Sequence, residues 1–389
     1  MNFRIFILAI GTFVIGTEGF MIAGLLPALA RDLQTSVSAA GQLVTAFSIA
    51  YALGSPVLTT LTGLAERRKL LTYALFIFAL GNILCGLAPS YGLILVGRIV
   101  AAAGAGLFTP AANHSASILA APGKRGQALS IVIGGMTVAL VLGVPLGNWI
   151  ASVFDWKMTF WFVGIIALVA AVCIRLFFPA ISAPASVTLA ERLSFLKNPT
   201  ILTALSITLA WAFGIYVVYT YIGDIFGRVG AGENTITVML LISGIASFLG
   251  VNFGGFAADR YGPARTIVLA LLLLMVAVVA LSFFKSVALG IAAMALWGFA
   301  GFTFNPAQQH RLIGLSGKDS GVVLSLHHST LYVGTALGSM TGGLVIQYGS
   351  VTWLGIVGGA VVLIGLVVFL FTRRHDELNQ RKDLFSLNE

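Results

Sequence analysis

The chain has 389 residues and a formal net charge of +9, and 58% of its residues are hydrophobic while only 9% are charged. Because an average soluble domain carries about 25% charged residues, this composition excludes an ordinary soluble protein and predicts an all-α membrane protein with many spans. The basic residues are scattered over short loops, which argues against a nucleic-acid-binding surface.

Apolar runs separated by polar residues, Pro or Gly predict twelve transmembrane spans, each long enough to cross a hydrocarbon core of about 30 Å. They lie at about residues 5–29, 41–63, 70–88, 92–119, 127–151, 157–178, 200–223, 235–257, 265–284, 287–309, 321–346 and 352–372.

The 22 Lys and Arg residues are distributed unevenly between the two sets of loops. The face with the chain termini carries most of them, whereas the other face has only Arg31, Lys157, Arg228 and Lys285. The positive-inside rule therefore predicts that both termini are cytoplasmic and that this is a multi-pass protein of the cytoplasmic (inner) membrane.

The first span carries Glu18 near its middle, where charged residues are rare because Asp or a basic residue at a helix centre costs about 2.5–3.5 kcal/mol on insertion scales. Glu18 is therefore a candidate for an ion or substrate pathway, the alternative being a neutral carboxyl that serves structure alone. Arg98 in the fourth span lies at a depth that differs by only about 6–8 Å, at 1.5 Å per residue. The two residues are candidates for a charge pair and for proton coupling, and the alternative for Arg98 is snorkelling to the outer interface.

Polar and aromatic residues inside later spans are candidates for contact with a ligand. His114 lies low in the fourth span beside Asn113, and Asn305 lies near the inner end of the tenth. The seventh span presents aromatic side chains suited to a ligand with polar and apolar parts, among them Trp211, Tyr216 and Tyr219. For each residue the alternative is a purely structural role.

Three other ionisable residues are less informative. His327 and His328 lie near the inner start of the eleventh span and are able to relay protons, or else they are hydrogen-bonded structure. Asp224 ends the seventh span at the outer face. There we expect a solvated charge at a helix end.

The fifth span contains Gly143, Pro145 and Gly147. Glycines four residues apart allow two backbones to approach closely, and Pro145 removes a helix hydrogen bond and bends the segment. The residues alone do not separate a functional bend from simple packing.

Residues 179–198 interrupt the regular spacing of the spans. Pro179, Pro184 and Pro199 flank the segment Thr188-Leu-Ala-Glu191, a capping-box pattern that predicts a short amphipathic cytoplasmic helix. We interpret the segment as a linker between two six-helix halves.

The two halves repeat each other. Gly123-Lys124 recurs as Gly317-Lys318, and the residues from Gly63 to Arg67 recur as those from Gly255 to Arg260, at a spacing of about 190–196 residues. We therefore predict halves at residues 1–178 and 199–373, followed by a cytoplasmic tail at 374–389. Parallel repeats of six spans place a substrate site between the halves near the midplane.

Several motifs together resemble the major facilitator superfamily. They are Thr17-Glu18-Gly-Phe with Gly24-Leu-Leu-Pro27, Gly41-Gln42 with Thr45, Glu66-Arg-Arg-Lys-Leu-Leu71, Pro122-Gly-Lys-Arg-Gly-Gln-Ala-Leu129 and Gly143-Val-Pro-Leu-Gly147. More narrowly they look like its twelve-span drug:proton antiporter branch, close to bacterial sugar efflux and arabinose-efflux-like permeases. The resemblance covers the first half strongly and the second half weakly.

The resemblance implies a major facilitator fold and roles for individual residues. Glu18 matches the family's membrane-embedded acid, and Arg98 resembles the arginine of its fourth-helix motif. The fifth-span residues resemble the antiporter motif, and Asp259 and Arg260 resemble a signature gating loop. The first-half copy of that loop, with Arg67 and Arg68, lacks the usual aspartate and second glycine.

We therefore expect proton-coupled efflux of a small molecule, drug-like, sugar or a related metabolite, by a monomer working through alternating access. The alternatives are a proton symporter or facilitator for a sugar or nucleoside and, from another class, a non-transporting membrane sensor. The sequence has no Gly-Lys-Ser/Thr phosphate loop and no residue cluster with metal-ligand spacing. We expect an exporter that is not an enzyme and that needs no cofactor, metal or nucleic acid.

Overall fold

The computed structural model describes residues 3–121, 124–182 and 188–386, and in these ranges every regular element is a helix. The α-helices are α1 (Phe3–Asp32), α2 (Val37–Leu61), α3 (Arg67–Leu87), α4 (Tyr91–Leu119), α5 (Arg125–Val138), α6 (Val144–Val153), α7 (Trp156–Phe177), α8 (Leu189–Ser194), α9 (Pro199–Tyr219), α10 (Ile222–Gly227), α11 (Glu233–Tyr261), α12 (Pro263–Phe283), α13 (Val287–Ser316), α14 (Ser320–Tyr348) and α15 (Trp353–Ser386). A π-helical turn, Ala139–Gly143, joins α5 to α6.

Local signals set several of the helix starts. The Ser36 side chain accepts a hydrogen bond from the Ala39 backbone N–H at the start of α2, and Asp155 does the same for Met158 at the start of α7. Asn198 caps α9, whose first residue is Pro199. Such side chains satisfy backbone N–H groups that the first helical turn leaves unpaired.

The helices confirm the predicted all-α membrane fold. Eleven segments of the described chain are long and apolar enough to cross a membrane, with α5, the π-helical turn and α6 forming one of them. The predicted eleventh span corresponds to α14, which is 29 residues long but is not among these eleven segments. Its length matches its neighbours, and it packs between α2 and α9. Its buried polar side chains, His327, Thr335 and Ser339, therefore meet protein instead of lipid.

Two groups of helices are visible in the packing. Helices α1 to α7, the N-terminal half, pack mainly on one another, and α9 to α15, the C-terminal half, do the same. The halves meet where α2 packs on α14 and where α11 packs on the π-helical turn and α6. The predicted boundaries at residues 178 and 199 and the cytoplasmic tail at 374–389 stay predictions. The last helix, α15, continues to Ser386.

The predicted linker helix is present as α8. The Thr188 hydroxyl accepts from the Glu191 N–H at 3.2 Å, and the Glu191 carboxylate accepts from the Thr188 N–H at 2.8 Å, which confirms the capping box. Arg192 on this helix donates to the Ser325 hydroxyl of α14 at 3.1 Å. The linker is thereby attached to the C-terminal half.

Small residues bring α3 and α4 together. A Cβ atom on Gly104 would collide with the backbone of Ala74 and Phe78. On the neighbouring face of α4, the Ser55 hydroxyl donates to the Gly106 carbonyl at 2.7 Å. These contacts fix α4, and with it Arg98, against α2 and α3.

Candidate functional site

Glu18 of α1 and Arg98 of α4 form a buried ion pair. Both residues are 0% exposed. The Arg98 guanidinium therefore points into the protein, and the snorkelling alternative does not describe its position. The structure brings together the two residues that the sequence singled out for proton coupling.

Other groups of the N-terminal half also hold the Arg98 side chain. Its Nε donates to the Leu43 carbonyl at 3.3 Å, and its Cζ lies 4.4 Å from the centroid of the Phe47 ring. A carbonyl and an aromatic face both attract a cation, and both do so more strongly away from water. Arg98 therefore keeps two further contacts if Glu18 loses its charge.

Aromatic side chains extend this site across the boundary between the halves. Tyr51, one helical turn after Phe47 on α2, stacks on Tyr332 of α14 with ring centroids 3.7 Å apart. The Phe47 and Tyr332 centroids are 6.3 Å apart. Sequence reasoning missed these three residues, although the four-residue spacing of Phe47 and Tyr51 places them on one helix face.

A second aromatic cluster surrounds Phe20, two residues after Glu18 on α1. Its ring lies 6.4 Å from Tyr216, 6.0 Å from Tyr219 and 6.2 Å from Phe302. The Tyr219 hydroxyl donates to the Phe20 carbonyl at 3.0 Å. Tyr216 and Tyr219, both predicted to contact substrate, therefore lie at the boundary between the halves next to α1.

Trp211 has a different environment. Its indole N–H donates to the Gly301 carbonyl at 2.9 Å, and its ring stacks on Phe304 with centroids 4.9 Å apart. Both partners belong to α13 of the same half, and Trp211 is only 3% exposed. These contacts favour the packing alternative for this residue.

The other predicted substrate residues lie toward the helix ends that are predicted to be cytoplasmic. Asn113 and His114 belong to the last two turns of α4, which ends at Leu119. The Asn113 Oδ1 and His114 Nδ1 atoms are buried without a hydrogen-bond partner in the described chain. Asn305 accepts a hydrogen bond from Gln309 at 2.6 Å. All three predicted residues are partly exposed.

His327 is part of a separate polar cluster inside the C-terminal half. Its Nδ1 lies 3.1 Å from the Thr208 hydroxyl, which also accepts from Gln308 Nε2 at 3.1 Å. All three residues are fully buried. The cluster links α9, α13 and α14, as expected of hydrogen-bonded structure.

The fifth span packs directly beside Glu18. A Cβ atom on Gly143 would collide with Thr17, and one on Gly147 would crowd Met21 and Thr159. The Val144 N–H bonds to the Ala139 carbonyl, five residues back. This π-helical spacing lies immediately before Pro145, which has no N–H, and it accommodates the predicted irregularity in the span.

The two predicted gating loops have different structures. In the first, the Arg68 Nε pairs with Glu66 at 3.3 Å, and the Arg67 backbone N–H donates to the Ile181 carbonyl at 3.0 Å. In the second, Asp259 lies 3.9 Å from the His310 ring, and the Arg260 guanidinium lies 5.9 Å from the Phe256 ring centroid.

A glycine accounts for the tight turn in the second of these loops. Gly262, which follows α11, has a φ angle of +87°. Glycine adopts such angles readily, whereas other residues are strained there. The first-half copy of the loop lacks this glycine and has no positive φ angle between α2 and α3.

The halves are joined at the face that the distribution of basic residues predicts to be the outer one, where the loops between α1 and α2 and between α9 and α11 lie. The Ser38 hydroxyl donates to the Gly343 carbonyl at 2.8 Å, and Arg31 pairs with Glu233 at 3.2 Å. Asp224, expected to be solvated, is instead only partly exposed, with one carboxylate oxygen buried and unbonded in the described chain. The prediction was wrong because α10 follows α9 directly and packs against α1.

Comparison with known sequences identifies the family. The model of the Major Facilitator Superfamily matches residues 8–313 and 225–386. An uncharacterized MFS-type transporter of Bacillus subtilis, YbcL, is 36% identical over 374 residues, covering 95% of this chain and 96% of that protein. The inner membrane transport protein YdhP of Escherichia coli K12 is 32% identical over 381 residues, covering 97% and 98%.

Solved structures share the fold at low sequence identity. A bacterial homolog of the human lysosomal transporter Spinster matches with a TM-score of 0.78 and 16% identity over 96% of both chains. A D-xylose-proton symporter matches with a TM-score of 0.75 and 18% identity over 94% of this chain and 96% of that one. The chain therefore belongs to the major facilitator superfamily, whose members are membrane transporters and not enzymes.

Proposed function

We propose that this transporter couples the efflux of a small molecule to proton entry across the cytoplasmic membrane. The observation that carries the proposal is the ion pair between Glu18 and Arg98, which is fully buried. Ionisable groups at this depth are retained mainly where they serve transport. The pair also lies next to aromatic contacts that cross between the halves.

Proton binding changes the balance of charge around Arg98. When Glu18 is ionised, the pair is neutral as a whole. When Glu18 takes up a proton, Arg98 keeps its charge and its contacts with the Leu43 carbonyl and the Phe47 ring. Phe47 lies against Tyr332 of the other half. The protonation state of Glu18 thus acts on a contact between the halves, which is the contact that alternating access must rearrange.

We place the substrate between the halves, on the cytoplasmic side of the contacts that join the halves at the outer face. The described contacts join the halves at the outer face and at Tyr51 and Tyr332. Asn113 and Asn305 are partly exposed toward the inner ends of their helices. We therefore interpret the structure as an inward-facing state. Aromatic rings with nearby amides suit an amphipathic drug-like molecule, a sugar or a related metabolite.

The efflux direction and the membrane have separate support. The motif with Gly143, Pro145 and Gly147 packs on α1 beside Glu18, where an antiporter would couple a bend in the fifth span to the ion pair. YdhP is named as an inner membrane protein, and the distribution of basic residues predicts cytoplasmic termini. The monomeric state remains our expectation, since each half packs on the other.

The main alternative is a proton symporter or facilitator for a sugar or nucleoside with the same fold. A D-xylose-proton symporter and the nucleoside transporter NupG share the architecture, at 18% and 12% identity. The sensor alternative has less support, because the relatives YbcL and YdhP are named as transport proteins.

Transport assays separate these possibilities. Purified protein is reconstituted in liposomes that contain a pH dye, and amphipathic antibiotics, pentoses and nucleosides are supplied in turn. We expect one class to move against protons in the wild type, with coupling lost in Glu18→Gln and retained in Glu191→Gln. Glu191 is a matched control, because it is an exposed acid of the linker helix α8 and glutamine keeps an oxygen that accepts from the Thr188 N–H.

Two other outcomes would identify a symporter or a facilitator. Substrate and protons that move in the same direction would support the symporter and overturn efflux. Proton-free movement that is equal in the wild type and in Glu18→Gln would show a facilitator in which Glu18 is structural.

A further inference from the structure

The segment between α9 and α11 forms a plug at the outer face. The Tyr221 hydroxyl donates to the Ser339 carbonyl of α14 at 2.8 Å, and the Tyr221 ring lies so close to Gly41 of α2 that a Cβ atom there would collide with it. Gly223 packs on Pro27 of α1 in the same way. Residues 221–224, which we call the outer plug, therefore touch α1, α2 and α14 where the two halves close.

The outer plug contains one acidic residue, Asp224, whose carboxylate is partly buried. Its Oδ2 atom is buried and has no hydrogen-bond partner in the described chain. Its neighbours Gly223 and Ile225 are buried, so the backbone around it cannot turn to water while the plug stays closed. Because Asp224 is partly exposed, an ionised carboxylate there loses part of its hydration, and Oδ2 has no described partner to compensate for the loss.

The charged groups on the surrounding elements are engaged elsewhere. On α1, Arg31 pairs with Glu233 and Asp32 accepts from the Trp156 indole at 3.0 Å. Arg228, at the end of α10, donates to backbone carbonyls, including that of Ser282 at 3.2 Å. The Tyr221 phenol lies close enough to interact electrostatically with Asp224 and with the Tyr91 phenol. From α2 and α14, Gly41 and Gly342 pack against the Tyr221 ring.

We propose that Asp224 makes the outer closure sensitive to the pH of the outer solution, so that acid favours the closed plug and neutral pH favours its opening. The inference goes beyond the proposed function. It requires that the outer plug open during alternating access, but it does not depend on proton coupling at Glu18.

The sign and size of the effect follow from proton linkage. Burial raises the pKa of Asp224 from 3.8 to about 6 in the closed state, and opening would return the carboxylate to water and lower its pKa again. The closed form therefore binds the proton more tightly, so closure is favoured below the higher pKa and is lost as the pH rises through it. Between about pH 5 and about pH 7.5 the opening equilibrium should shift about tenfold.

Thiol labelling in lipid nanodiscs measures this opening without a substrate. Cys85 and Cys173 are replaced by Ala, and Ser38→Cys is introduced as the probe, because Ser38 is only 7% exposed beneath the closed plug. Its rate of reaction with a maleimide is divided at each pH by that of Ser350→Cys, a freely exposed reference on the same face. We expect the normalised rate to rise about tenfold from about pH 5 to about pH 7.5.

Three variants decide the interpretation. Asp224→Asn should remove the pH dependence, and Asp224→Glu should keep it and shows that the site tolerates substitution. Asp155→Asn, which alters an exposed acid of the same face whose hydrogen bond to the Met158 N–H stays within the N-terminal half, should behave as the wild type. A flat profile in the wild type, or an unchanged slope in Asp224→Asn, would overturn the proposal. Neither result would bear on proton coupling at Glu18, since no transport is measured.

Discussion

Removing either partner of the Glu18–Arg98 pair should destabilise the protein strongly, because water cannot replace the lost partner. The side chains are 0% and 1% exposed, and breaking a buried pair costs about 3–5 kcal/mol. Glu18→Gln keeps an oxygen that accepts from the guanidinium, so we expect a loss of about 3 kcal/mol. Arg98→Met also removes the contacts with Leu43 and Phe47, so we expect about 5 kcal/mol.

The double variant Glu18→Gln/Arg98→Met measures how strongly the two residues depend on each other. Because it leaves no buried charge, its free energy of unfolding should fall by about 5 kcal/mol, whereas the two single losses add up to about 8 kcal/mol. The difference, about 3 kcal/mol, is the coupling energy of the pair. The free energies come from unfolding in detergent mixtures of rising SDS fraction, followed by tryptophan fluorescence. The exposed pair Arg31–Glu233 is the control cycle and should give about 0–1 kcal/mol. If the double variant loses the sum of the two single losses, the reasoning is refuted.

The same unfolding assay tests the packing of Gly143 in the N-terminal half and of Thr208 in the C-terminal half. Gly143→Ala should lower the free energy of unfolding by about 1–3 kcal/mol, because the new Cβ collides with Thr17. Gly255→Ala is the control and should be neutral or slightly stabilising, because a Cβ there meets no atom within 4 Å. Equal losses in the two variants would contradict the packing account. Thr208→Val should cost about 1–3 kcal/mol by leaving the buried His327 Nδ1 unbonded, and an unchanged stability would show that this hydrogen bond contributes nothing.

Much of the fold and one part of the site follow from the sequence. Span length and hydropathy are local properties, so they predict the long helices directly. A charge at bilayer depth is conspicuous because it is unfavourable, and this singled out Glu18 and Arg98. The linker cap was equally local, since Thr188 and Glu191 are three residues apart.

The remaining features depend on which helix faces which, and no local pattern carries that information. Trp211 and Tyr216 lie on the same helix with similar chemistry, yet one packs inside the C-terminal half and the other lies beside Phe20 of α1. Tyr332 could not be singled out, because its partner Tyr51 belongs to the other half. Asp224 was misjudged for the same reason, since its burial comes from contacts made after α9 ends.

The central claim is that Glu18 exchanges a proton inside the buried ion pair, and infrared difference spectroscopy tests it most directly. Purified protein in lipid is cycled between acidic and alkaline buffer while the carboxyl C=O stretch is recorded. We predict a band of a protonated carboxyl in a weakly hydrated environment on acidification of the wild type. It should be absent in Glu18→Gln and unchanged in Glu191→Gln, which replaces an exposed acid of the linker helix. A wild-type spectrum without such a band, or one in which the band persists in Glu18→Gln, would contradict the account.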